Sequence, residues 1–146
     1  MNNEDIRILV VDDEADIRKI LRLLLEKRGY RVIETANGAD AVDEAQKGGI
    51  DLIVMDIMMP MLSGIDAAAE IRKLTTAPIL FVTARSLDSD KEMAYVAGGD
   101  DYLVKPFSSK ELLLKVESIL RRYILYRCKD KEREFLFILC EIEVDV

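Results

Sequence analysis

Short apolar runs alternate with longer stretches of helical periodicity along this chain. The runs are Ile6 to Val11, Arg31 to Thr35, Leu52 to Met55, Pro78 to Val82 and Asp101 to Val104. Leu52 to Met55, apolar throughout, fits a strand buried on both faces of a parallel sheet, and the other runs read as further strands. Between them the apolar positions recur at three and four residues, which predicts helices. Ile17, Ile20, Leu21 and Leu24 mark the first helix, Glu14 to Arg28, with Gly29 at its C-cap. Asn37 caps a second carrying Ala41, Val42 and Ala45, and Gly48-Gly49 ends it. Ser63 caps a third with Ile65, Ala68 and Ile71 inward. A weaker fourth runs from Leu87 to Ala97 and stops at Gly98-Gly99. Ser108 and Glu111 form a capping box for a long fifth, marked by Leu112, Val116, Ile119, Leu120 and Tyr123.

Strand and helix in strict alternation predict a doubly wound α/β domain with a parallel sheet. Of the topologies that short right-handed crossovers allow, the flavodoxin-like (βα)5 order 2-1-3-4-5 fits best. It sets the first and third strands side by side at the switch point, where ligands bind beyond the carboxyl ends.

Composition narrows the chemistry. The chain has 146 residues, enough for one domain with a sizeable core. Its net charge of −7 argues against direct contact with nucleic acid or anionic lipid. No apolar run is long enough to span a membrane and no secretory signal opens the chain, so a cytoplasmic protein is expected. Cys128 and Cys140 make no disulfide framework. With no histidine, Ser-His and Cys-His nucleophile pairs and the usual zinc sites are excluded. A phosphohistidine donor would have to be another molecule.

The candidate chemistry centres on Asp51 to Gly64, DLIVMDIMMPMLSG. Asp56 closes the third strand, and a carboxylate at the mouth of a buried strand is costly without partners. Asp12 and Asp13 close the first strand, Thr83 the fourth and Lys105 the fifth. Taken singly, each has an ordinary role: a helix cap, a turn cap, a strand end, a solvated charge. Together, at matching strand ends, they suit phosphoryl transfer. Three converging carboxylates call for a divalent cation, and oxygen donors favour Mg2+ or Mn2+ over zinc. Asp56, ionised at neutral pH, can attack without a general base. Lys105 and Thr83 can meet the phosphoryl oxygens.

With VVDDE at 10–14, MDIMMPMLSG at 55–64, VTA at 82–84 and GGDDYLVKPF at 98–107, residues 5 to about 125 resemble the receiver domain of two-component response regulators. The resemblance implies that Asp56 accepts phosphate from a sensor histidine kinase. It implies that Asp12, Asp13, Asp56 and the Met58 backbone carbonyl hold Mg2+, that Thr83 and Lys105 contact the phosphoryl group, and that Lys105-Pro106 is cis. Thr83 and Tyr102 would form a switch that remodels the face of the fourth predicted helix, fifth strand and fifth predicted helix.

DDYLVKPF and the basic last helix further resemble the OmpR/PhoB subgroup of DNA-binding regulators. That implies a homodimer on activation, with crossed pairs Lys91–Glu111, Asp101–Lys115, and Asp100 with Arg121 or Arg122. Lys115 stands where arginine is more usual, and bidentate pairing is lost there. Gly99 stands where alanine is frequent. Met58 and Arg85 lie where the family tunes phosphate lifetime.

The domain expectation is a receiver over 5–127, a charged linker over 128–134, and a stretch over 135–146 that either opens a second, DNA-binding domain or forms a tail. DNA contact would come only through such a further domain. Rival readings remain. An aspartate-nucleophile phosphatase would carry a second aspartate where Met58 stands. A nucleotide- or flavin-binding domain would have a glycine-rich loop where VDDEA stands. A receiver that signals without phosphate is the third.

Overall fold

The structure, a computed structural model, describes residues 3–84 and 100–130, with side chains as far as Ile124. The fourth predicted helix (87–97), Arg85, Lys91, Gly98-Gly99 and residues 131–146 lie outside the described residues.

Five strands form one parallel sheet in the order β2-β1-β3-β4-β5. They are β1 (Arg7–Val11), β2 (Arg31–Thr35), β3 (Leu52–Asp56), β4 (Ile79–Thr83) and β5 (Asp101–Val104). The described helices are α1 (Ala15–Lys27), α2 (Gly38–Lys47), α3 (Gly64–Arg72) and α4 (Ser109–Asp130), the last being the fifth of the predicted helices. The expected flavodoxin-like order 2-1-3-4-5 is the observed one.

The two-residue period of the strands divides their side chains between two cores. Ile8, Val10, Leu52, Val54, Leu80 and Val82 face one side, against Leu21 and Leu25 of α1 and Leu112, Val116, Ile119 and Leu120 of α4. Leu9, Val11, Ile53, Met55, Ile79 and Phe81 face the other, against Ala41 and Ala45 of α2 and Ala67, Ala68 and Ile71 of α3. β3 and β4 are buried at every position. This explains why they read as unbroken apolar runs rather than alternating ones. Each fully buried Leu or Ile contributes roughly 1.5–3 kcal/mol.

The small residues of α2 and α3 let these helices lie close together. A Cβ on Gly38 would stand 3.1 Å from that of Ala67. Side-chain caps satisfy free amides where three of the helices begin. Asn37 Oδ1 accepts from the Asp40 amide, Ser63 Oγ from that of Asp66 and Ser108 Oγ from that of Glu111. Gly29, after α1, has φ +91°, a conformation that a side chain disfavours.

Two polar contacts brace the ends. Arg28 Nη1 lies 2.7 Å from Glu117, tying α1 to α4. The half-buried Arg72 donates to the carbonyls of Thr75 and Ala77 and lies 3.4 Å from Asp100. Asp100 Oδ2 accepts from the Ile79 amide, so this cluster joins the entries of β4 and β5. Burial pulls the Arg72 guanidinium below its ordinary pKa, against the opposing charge of Asp100. α4 runs without a break through Arg127, so 128–130 of the stretch expected as a linker are helical.

Candidate functional site

Register brings the site together. Val11 pairs with Met55, Asp56 with Val82, and Thr83 with Val104. The residues at or just past these pairs therefore meet at one edge of the sheet: Asp12 and Asp13 after β1, Asp56 and Thr83 ending β3 and β4, and Lys105 after β5. The Lys105 amide donates to the Thr83 carbonyl at 2.7 Å, carrying the β4–β5 ladder past the last strand residue.

Asp12, Asp56 and Thr83 are buried polar residues, while Asp13 is exposed. Asp12, Asp13 and Asp56 each offer a carboxylate oxygen, and these oxygens lie within 4.8 Å of one another. Lys105 Nζ stands 3.0 Å from Asp12, 3.6 Å from Asp56 and 3.9 Å from Glu14. Asp12 Oδ1 accepts from the Glu14 amide and Asp56 Oδ1 from the Met58 amide.

One ammonium cannot offset this much negative charge. Burial first, and then the Asp12 charge, push the Asp56 carboxyl from an ordinary 3.8 up to about 6. Lys105 and the Met58 amide pull it down and Asp13 adds a smaller upward push. Burial also pulls Lys105 down. The Asp12 hydrogen bond and the charges of Asp56, Asp12 and Glu14 outweigh that, so its pKa lies above the ordinary value. Such a site can chelate a divalent cation: clustered carboxylate oxygens are the donor set a hard cation takes.

The loop behind Asp56 is tight. The Gly64 amide donates to the Ile57 carbonyl at 3.0 Å. A Cβ on Gly64 would overlap the Asp56 carbonyl oxygen and stand 2.9 Å from Ile57 Cα, so only glycine fits. Met61 takes φ +69° and is fully exposed at the loop tip; Met58 is half-exposed beside the site. The Lys105-Pro106 peptide is cis.

Tyr102 lies on β5 opposite Phe81, half-buried against the core that α2 and α3 cover. The residues expected at a dimer face are spread along the opening of β5 and α4. Here two of its acids pair within the chain: Asp101 with Lys115 at 3.1 Å, and Asp100 with Arg72. Glu111, Arg121 and Arg122 are exposed, and Lys91 lies outside the described residues.

Arg18 and Arg72 escaped the sequence reading, Glu14 entered it only within the VVDDE motif, and Gly64, expected as a loop breaker, opens α3 instead. Arg18 had a usable signal, since a cation near a helix N-terminus works against the macrodipole and calls for a local acceptor. Arg72 had none, because its acceptors are backbone carbonyls.

Fold and acidic cluster together define a receiver domain with a phosphorylation site, rather than a classical enzyme. Residues 8–117 match the response regulator receiver domain, and the chain belongs to that family. It is homologous to regulators of the OmpR/PhoB type. The uncharacterized transcriptional regulatory protein YrkP of Bacillus subtilis is 46% identical over 133 residues, 91% of this chain and 57% of that protein. The transcriptional regulatory protein ResD of the same organism is 43% identical, over 80% of this chain and 48% of its own length. The chain thus spans about half the length of the curated relatives it matches. The crystal structure of a two-component response regulator from Clostridium difficile superposes with a TM-score of 0.77 at 33% identity, covering 80% of this chain and 97% of that one. No described helix is long and apolar enough to cross a membrane.

Proposed function

We propose that this chain is a phosphorylation-activated receiver in which Asp56 takes a phosphoryl group from the phosphohistidine of a sensor kinase. The observation that carries this is the meeting of Asp12, Asp13 and Asp56 with Lys105 3.6 Å from Asp56. An Asp56 carboxylate oxygen attacks phosphorus, the phosphorus–nitrogen bond breaks, and the imidazole leaves with the electron pair. Asp12, Asp13, Asp56 and the Met58 carbonyl would hold Mg2+, or Mn2+ in its place. When bound, the metal would offset charge on the transferring group. Lys105 would exchange its contact with Asp12 for a phosphoryl oxygen, and Thr83 would donate its hydroxyl to another.

Thr83 and Tyr102 would then carry the change to the face of β5, α4 and the predicted helix 87–97. A homodimer would form there, with Lys91–Glu111, Asp101–Lys115 and Asp100–Arg121 or Arg122 as its crossed pairs. The internal Asp101–Lys115 and Asp100–Arg72 contacts would have to open first. Exposed pairs of this kind add little energy and chiefly fix register. Control of transcription would pass through a further DNA-binding domain, as the names of the longer relatives suggest.

Light scattering of the chain with a small acyl-phosphate donor, beside intact mass to read phosphoryl uptake, tests the whole reading. A mass that doubles only when donor and Mg2+ are both present is expected. A phosphorylated monomer of unchanged mass would remove the dimer. No phosphoryl uptake would remove the acceptor role.

A further inference from the structure

The geometry points to Arg18 as the residue that holds the Asp12 loop in place, with Glu34 orienting it; its bearing on metal binding rests on the reading above. Arg18 Nη1 donates to the Asp12 backbone carbonyl at 2.7 Å. Its Nε lies 3.5 Å from Glu34 Oε1, across the boundary between α1 and β2. Glu34 is itself held by Arg22 Nη1 at 2.6 Å, and Arg22 by Glu26 at 3.1 Å. A ladder of charges therefore runs from the outer side of α1 to the carbonyl of a candidate metal ligand.

Asp12 needs such an anchor. Its carboxylate is fixed by the Glu14 amide and Lys105, but its own amide reaches the Thr35 carbonyl at a long 3.3 Å. The 2.7 Å bond from Arg18 is the shorter of these two backbone contacts. Once Lys105 leaves Asp12 for a phosphoryl group, Arg18 remains to hold the loop. Arginine suits the task where lysine does not. The planar guanidinium serves the Asp12 carbonyl and the Glu34 carboxylate at once from two nitrogens, while an ammonium is a single point charge. Arg18 is also poorly placed for helix electrostatics, lying close to the positive end of α1. That cost is offset only by local acceptors. Arg18 touches none of the reacting atoms, so it is a positioning residue.

The sign of one measurement separates positioning from plain charge. Taking a cation away from an acidic site should tighten a divalent ion if charge is all that matters. Releasing the loop should weaken it. The experiment is a titration of the 146-residue chain with Mn2+, free ion read by electron paramagnetic resonance, in wild type, Arg18→Ala, Arg18→Lys and Glu34→Gln, beside amide hydrogen exchange at Glu14 without metal. Arg18→Ala should bind Mn2+ on the order of ten-fold more weakly, the usual size for loss of a group that orients a ligand. Arg18→Lys should recover part of this, and Glu34→Gln should show a smaller loss in the same direction. Exchange at the Glu14 amide, whose acceptor is Asp12, should quicken in step.

Unchanged or tighter Mn2+ binding in folded Arg18→Ala overturns the inference, as does unchanged Glu14 protection. If Arg18→Ala does not fold, Glu34→Gln decides by the same two readouts. A wild type that binds no Mn2+ would sink the phosphoacceptor reading instead, and the exchange data would still decide whether Arg18 holds the loop.

Discussion

Replacing Asp56 by Asn should make the metal-free protein more stable at neutral pH while leaving it unable to take up phosphate. The Asp56 carboxyl titrates at about 6 in the fold against 3.8 when unperturbed. Its native pKa is raised, so between those values the native state binds the proton that the unfolded chain has released. Stability from this group is then fully present below about 3.8, falls as pH rises through the interval, and is gone above about 6. The gap of roughly two units corresponds to about 3 kcal/mol at 1.36 kcal/mol per unit. Asn cannot ionise and keeps an oxygen to accept the Met58 amide, so it escapes the penalty. Urea unfolding followed by far-UV circular dichroism, in chelator at pH 7 and pH 4, measures the difference. At a slope of ~1–3 kcal/mol per molar, the midpoint of Asp56→Asn should lie about 1–3 M higher at pH 7. The advantage should disappear at pH 4. Adding Mg2+ should stabilise the wild type and close much of the gap at pH 7. A variant no more stable than wild type at pH 7 in chelator, or an advantage of the same size at both pH values, would refute the reasoning.

Four further outcomes follow from the same contacts. Lys105→Ala should raise Mn2+ affinity severalfold, since a competing cation leaves the carboxylates, yet lower phosphoryl uptake; parallel titration and intact-mass assays check both. Gly64→Ala should cost several kcal/mol in urea unfolding, because its Cβ overlaps the Asp56 carbonyl. Arg72→Ala should cost about 2–4 kcal/mol in the same assay by leaving two carbonyls and Asp100 without their shared donor. Tyr102→Ala should take up phosphate normally but dimerise more weakly, read by light scattering; loss of phosphorylation would count against the switch role.

Much of the architecture was legible because it rests on one-dimensional signals. Runs such as Leu52 to Met55 admit no polar residue, since both faces of β3 are covered. The caps at Asn37, Ser63 and Ser108 bond within three residues, so sequence spacing suffices to find them. The position of Asp56 at the end of an apolar run, with acids at the end of another, made the acidic cluster visible before any distance was known.

What escaped depends on distance between elements. Lys105 meets Asp12 across ninety-three positions of chain, and its pairing with Asp12 at closer range than Asp56 follows from side-chain reach, which no pattern encodes. Arg18 and Arg72 act on backbone carbonyls, so no complementary residue marks them. The internal pairing of Asp101 with Lys115 could not be told from a crossed pair, because the residue types are the same in either arrangement.

The central claim is that Asp56 accepts phosphate with the help of a divalent ion. Intact mass after incubation with a small acyl-phosphate donor, with and without Mg2+, on wild type and Asp56→Asn tests it most directly. A gain of one phosphoryl group in the wild type, present only with Mg2+ and absent in the variant, is the predicted result. No gain in a wild type that binds Mg2+, or an equal gain in Asp56→Asn, would contradict it.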